Sequence, residues 1–384
     1  MKQLAILAVL LILGGIAYYT KFYQKDDPVA LARAEFMNSV QAAEAGDIGA
    51  QIRVAKMFEE GTYGANKDFY TALSWYEKAA QNGNTNAQIK VAEAYFFGKD
   101  GIEKNMAEAA KWYKLLVQKN NIAAMNNLAN LYMEGDGVSQ NLTYATELYK
   151  KAAELGDEVA QYNLGRAYRD GRGVERNLQL ARTWLEKSLA QGYADANLPL
   201  AKILLDDAGN TNILEAQQLI KNIPVEEQDS PSYFSLMADY YSALGKSSPE
   251  NYQLAYQWYT KAADQGSGYA QFMLAELLRQ GLGIEKNIDK AIMMYQISDT
   301  HEQSEANMTL VFLYLFDKEF ANNDEHALEI LRSPKYMKHK VALYYLAYMY
   351  GFGRGVEKDR SYAQQLLNQS CQLGHQSACN QPIH

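Results

Sequence analysis

Residues 160–192 read AQYNLGRAYRDGRGVERNLQLARTWLEKSLAQG, and the plan of the whole chain is contained in them. Ala160, Leu164, Ala167 and Tyr168 recur at the spacing of one helix face. The chain then breaks at Gly171 and Gly173. Leu180, Ala181, Trp184, Leu185 and Leu189 resume the helical period, and Gly192 ends it. The spacing predicts two antiparallel helices joined by a Gly-x-Gly turn. Glycine suits that turn because the positive φ of a helix C-terminus costs it almost nothing.

The same design returns every 36 or 37 residues. Trp75, Trp112, Leu148, Trp184, Trp258, Met294, Ile330 and Leu366 fall on one comb, with one doubled interval after Trp184. Three residues before each stands Ala72, Ala109, Ala145, Ala181, Ala255, Ala291, Ala327 or Ala363. A period of this length marks an array of stacked helix pairs, so the 384 residues are not divided into ordinary globular domains. The turns at Gly135, Gly171, Gly281 and Gly353 are turn chemistry; a phosphate-cradling loop would need a preceding strand and a longer glycine signature.

The unit from Ala160, with its near copies NAQIKVAEAYFFGKDGIEKNMAEAAKWYKLL from Asn86 and YAQFMLAELLRQGLGIEKNIDKAIMMYQ from Tyr269, resembles Sel1-like repeats, a subgroup of the tetratricopeptide superfamily. The resemblance covers about residues 46–380. It implies an all-α fold, an αα-solenoid wound as a right-handed superhelix, which binds other proteins, commonly in bacterial envelopes or the endoplasmic reticulum. Two stretches, 206–231 and 317–340, lose the Gly-x-Gly turn. The expected organisation is an N-terminal anchor at 1–25, a linker and capping helix at 26–45, repeats at 46–205, a degenerate repeat or hinge at 206–231, and repeats with a C-terminal cap at 232–384.

Leu4 to Thr20, LAILAVLLILGGIAYYT, is uncharged. As a helix it would reach roughly 25 Å at about 1.5 Å per residue, short but within the range that spans a bilayer. Tyr18, Tyr19, Phe22 and Tyr23 crowd the place where a cleavage site needs small residues, and they resemble an interfacial aromatic belt. The expectation is an uncleaved transmembrane anchor that includes Leu4, Leu10, Leu13 and Ile16.

A formal charge of −8 and the lack of a long basic run argue against nucleic-acid binding. The densest basic patch, Lys335, Lys338, His339 and Lys340, reads as a solvated helix end. The five histidines all lie in the last quarter and form no HExxH or triad spacing. Adjacent carboxylates such as Glu59 and Glu60 point about 100° apart on a helix and cannot face one substrate atom. No catalytic residue, cofactor, metal or small-molecule substrate is expected. Cys371 and Cys379 bracket Gly374, a geometry that permits a disulfide, leaves free thiols open, and with His375 could supply zinc ligands on a continuous helix. Their C-x7-C spacing resembles the disulfide of cysteine-rich Sel1-like proteins, which implies a bridge and an oxidising compartment. Bridge and anchor together give an expected location in the bacterial inner membrane, single-pass, with the repeats facing the periplasm.

The expected function is a non-enzymatic scaffold of the bacterial cell envelope that holds a partner protein or peptide in a concave groove. Immunity to a secreted toxin is the alternative. Weak β-lactam hydrolysis is less favoured, since no Ser-x-x-Lys set falls on a shared face. On the first helices of the last units, Phe272, Met273, Met308, Phe312, Leu315, Tyr344, Tyr345 and Tyr348 turn apolar where earlier units are polar, so they form the expected partner face. Arg166 and Arg169 are expected to add a charged contact.

Overall fold

The structure, a computed structural model, describes residues 28–98, 100–206, 210–300, 305–320 and 323–380. Among them are twenty α-helices and no strand. The chain divides into two compact units, Met1–Tyr193 and Ala194–His384. In the first, α1 (Pro28–Glu44) precedes four pairs: α2 (Ile48–Glu60) with α3 (Phe69–Gln81), α4 (Thr85–Phe97) with α5 (Met106–Gln118), α6 (Ile122–Glu134) with α7 (Leu142–Glu154), and α8 (Glu158–Asp170) with α9 (Leu178–Ala190). The second holds α10 (Asn197–Asp206) with α11 (Asn210–Lys221), α12 (Pro231–Gly245) with α13 (Asn251–Asp264), α14 (Gly268–Gln280) with α15 (Ile288–Thr300), α16 (Glu305–Phe316) with α17 (Asp324–Arg332), and α18 (Lys340–Phe352) with α19 (Arg360–Gln372). The short α20 (Gln376–Cys379) closes it. In each pair the two helices pack on one another.

Local chemistry starts and stops these helices. Asp47, Asn84, Asn121 and Asp157 cap first helices by accepting the amide three residues on, and Asn105, Asn141, Asn177 and Asp359 do the same for second helices. Each cap contributes about 1 kcal/mol. The first glycine of each turn takes the left-handed conformation at the helix end, as at Gly171 with φ of 69°. The second has a further duty: a Cβ on Gly173 would come 2.1 Å from the Leu142 carbonyl oxygen, and one on Gly283 would come 2.3 Å from the Tyr252 carbonyl carbon. Here the turn of one pair presses on the start of the preceding pair's second helix.

All eight comb alanines are fully buried. Of the comb residues themselves Trp75, Leu148 and Leu366 are buried, and the next residue is core in every unit: Tyr76, Tyr113, Tyr149, Leu185, Tyr259, Tyr295, Leu331 and Leu367. Trp112, Trp184 and Trp258 are only half-buried, and lysines three residues on cover Trp184 at 4.1 Å and Trp258 at 4.2 Å. Successive pairs are tied by buried glutamines. Gln51, Gln88, Gln161 and Gln271 donate to the carbonyls of Ala43, Ala80, Ala153 and Ala263, satisfying the end of the preceding helix.

Both stretches without the Gly-x-Gly turn remain helical. α11 occupies 210–221, and α17 is flanked by 3₁₀ turns that plug the core with Phe320 and Tyr336.

The expected inner-membrane location is corrected here. Among the described residues no helix is long and apolar enough to cross a membrane. Most have thirteen residues, about 20 Å of helix against the roughly 30 Å of a bilayer core. Leu4, Leu10, Leu13 and Ile16, and with them the anchor, lie outside the described residues.

Candidate functional site

α16 is apolar on nearly every face. Ala306, Met308, Leu310, Val311, Leu313, Tyr314 and Leu315 are buried, and its two large apolar side chains that reach solvent are Phe312, 47% exposed, and Phe316, 45%. These lie one helical turn apart, with ring centroids at 5.2 Å. α18 sets a second row beside them. Phe316 meets Tyr348 at 5.0 Å and Tyr345 at 6.4 Å, and Tyr348 stacks on Phe352 at 4.7 Å. Tyr345 and Tyr348 are half-buried, while Phe352 is 62% exposed. One connected strip of five aromatic rings therefore faces outward from two neighbouring units.

At one end of the strip Met308, Thr309, Phe312, His339, Lys340, Val341 and Tyr345 enclose a cleft of about 410 Å³. His339 caps α18 through its ring nitrogen, accepting the Ala342 amide at 3.4 Å. Burial, with the Lys340 charge beside it, holds its pKa below the ordinary value. Burial likewise raises the Tyr345 phenol above its usual value.

The sequence-predicted partner residues divide between surface and core. Phe312, Tyr345 and Tyr348 stand on the strip, with Tyr344 beside Tyr345 at 5.7 Å. Met308 lies in the cleft wall at 7% exposure and Leu315 is 5% exposed, so both serve the core. Phe272 packs on Tyr295 at 5.6 Å, and Met273 is half-buried against the α13 side. Arg166 and Arg169 belong to the first unit: Arg166 lies over the Tyr162 ring at 5.3 Å, and Arg169 is engaged by Asp170 at 2.6 Å. Phe316 and Phe352 escaped the sequence reading. Alignment by 36 residues would have found them, since Glu276 and Gln280 precede Phe312 and Phe316, which precede Tyr348 and Phe352.

A buried polar hub lies elsewhere in the second unit, on α10, α12, α13 and α14. Asp239 of α12 accepts from Tyr259 at 2.5 Å and Tyr269 at 2.7 Å, and pairs with Lys202 of α10. Lys202 also donates to Tyr269 at 2.9 Å. Burial raises both tyrosine pKa values, and the neighbouring Asp239 carboxylate raises them further. Three first helices are thereby fixed to one carboxylate. At the end of the unit Cys371 and Cys379 are joined in a disulfide, with Cα atoms 4.9 Å apart, which takes both sulfurs out of the zinc reading.

Paired antiparallel helices repeated at a fixed period, with an outward aromatic face and no gathered catalytic set among the described residues, define an αα-solenoid of the interaction-repeat class. The chain belongs to the Sel1 repeat family, whose pattern matches residues 48–84, 85–121, 122–157, 159–193, 235–267, 268–298 and 340–375. Sel1 repeat proteins are typically non-enzymatic interaction scaffolds. Similar solved structures include a protective antigen of uropathogenic Escherichia coli, 25% identical, covering 89% of this chain and 80% of that one with a TM-score of 0.39. A Sel1 repeat protein from Oxalobacter formigenes is 27% identical, with 71% and 97% coverage and a TM-score of 0.38. An immunity protein from Pseudomonas aeruginosa is 19% identical, with 59% and 80% coverage and a TM-score of 0.32. No curated protein matches the chain.

Proposed function

We propose that the chain is a protein-interaction scaffold that holds an apolar segment of a partner protein on the α16–α18 aromatic strip. One observation carries this reading. The positions of Phe312, Phe316, Tyr348 and Phe352 are Glu276 and Gln280 one unit earlier, and Lys56, Glu60, Glu93, Asn130, Glu134, Arg166 and Asp170 in the first unit, where Phe97 is the single ring at this phase. Repeat packing is satisfied without aromatic rings at these sites. Exposing such rings in contact with one another offers the desolvated contact area that interface hot spots use.

The test compares cross-linked partner recovery from the native source by the unmodified chain and by Phe312→Ser/Tyr345→Ser. Recovery should be lost while the thermal midpoint moves little, because Phe312 is half in solvent and Tyr345 is not in the core. Unfolding of the double variant would show that these rings hold the fold, and unchanged recovery would exclude them from the partner surface.

A further inference from the structure

The cleft at the end of the aromatic strip is apolar on its walls, through Met308, Phe312, Val341 and Tyr345, and carries the Lys340 cation at its rim beside the His339 ring. No carboxylate lines it among the described residues. Lys340 is exposed and forms no ion pair among the described residues. Lys335 and Lys338 stand close by in sequence, on a chain whose net charge is −8. A solvated helix end explains the lysines but not why one of them borders an apolar cleft. A cation beside a pocket sized for one or two large side chains is complementary to a group that carries both an apolar body and a negative charge.

We propose that this cleft binds a protein segment in which a bulky apolar or aromatic residue stands next to an aspartate or glutamate. The apolar side chain enters between Met308, Phe312 and Tyr345, and the carboxylate meets the Lys340 ammonium. The proposal rests on the aromatic strip being a partner surface and adds the chemistry of what it selects. A membrane surface fits less well, since anionic lipid is attracted by clusters of several basic residues acting together and this cleft presents one unpaired ammonium at its rim.

The test is selection of short random peptides displayed on phage against the full chain, followed by fluorescence anisotropy with the synthetic winners. Peptides pairing Phe, Tyr, Trp or Leu with an adjacent acid should be enriched. Lys340→Gln should weaken the best of them about five- to tenfold and abolish the preference for Asp over Asn at the acidic position. Phe312→Ser should remove binding of both forms. Enrichment of apolar peptides without an acid, dependent on Phe312 and indifferent to Lys340, would overturn the proposal and leave the strip as a partner surface. Absence of any Phe312-dependent binding would overturn both. Lys340-dependent sedimentation with phosphatidylglycerol vesicles, without peptide enrichment, would assign the patch to lipid and overturn the proposal. Lys340 is exposed, so an unchanged thermal midpoint in Lys340→Gln confirms that the loss is one of recognition.

Discussion

Replacing Asp239 by Ala should open the second unit locally while leaving the first intact. The carboxylate is 8% exposed and is the acceptor for Tyr259, itself fully buried, and for Tyr269. Removing it strands a buried hydroxyl and breaks the pair with Lys202. Breaking a buried pair by deleting one partner costs about 3–5 kcal/mol. Lys202 retains Asp206 at 3.6 Å and the Tyr269 oxygen at 2.9 Å, which places the cost near the lower end. A loss of about 3 kcal/mol corresponds to a roughly 150-fold rise in the local opening constant. Hydrogen exchange of the full chain, read by mass spectrometry, should show that rise in peptides from α10, α12, α13 and α14, with those from α4 to α7 as internal control. Lys202→Met combined with Asp239→Leu should recover only the part due to the unpaired Lys202 charge, because the Tyr259 hydroxyl stays buried without its acceptor. A change below fivefold in the hub peptides, or additive costs in the double variant, would refute the account of Asp239 as the common acceptor.

Three further outcomes are expected. Gly173→Ala combines positive φ with a Cβ 2.1 Å from the Leu142 oxygen, and should cost about 3 kcal/mol or more by adding overpacking to backbone strain. Gly171→Ala, whose nearest neighbour is the Arg176 Cβ at 3.4 Å, should cost only about 1–2 kcal/mol, so urea melts of the two variants must separate. The Cys371→Ser/Cys379→Ser variant opens a loop with a sequence separation of 8. It should lose about 2.5 kcal/mol, with exchange rising in α19 and α20 and not in α14. In alkali, burial pushes the Tyr113, Tyr149 and Tyr314 phenols up to about 12 from 10.0. Their contribution to stability is therefore complete below pH 10.0 and is lost as pH rises through about 12; near-ultraviolet tyrosinate absorbance should show them titrating later in native than in denatured chain.

Helix pairs, turn positions and comb alanines were legible because each is a local requirement written once per unit. What escaped depends on contacts between units or on the exact angle around a helix. Trp112, Trp184 and Trp258 share their comb position with Leu148, which is fully buried, yet they are only half-buried. Their indoles reach solvent, under a lysine at Trp184 and Trp258, while the less conspicuous Tyr113, Leu185 and Tyr259 fill the interior. The second turn glycine carried no local signal of its close approach to the preceding pair, since that neighbour is more than twenty residues away in sequence. Asp239 looked like one acid among many for the same reason, as its partners Lys202 and Tyr269 come from the helices on either side.

The partner face was half legible for a subtler cause. α16 has apolar residues on nearly all sides, so hydrophobicity alone cannot orient it, and Met308 and Leu315 were indistinguishable from Phe312 in sequence. Only the phase carried over from better-defined neighbours separates them. Gln280 is outward, while Glu276 is part-buried and accepts from the Tyr295 hydroxyl; the residues 36 places on are Phe312 and Phe316, both reaching solvent, and Tyr348 and Phe352 a unit beyond. A repeat array thus contains its own control. Where most units place charge or amide at a position, the fold has no need of an aromatic ring there. The four large rings at those positions are the feature on which the proposed partner surface rests.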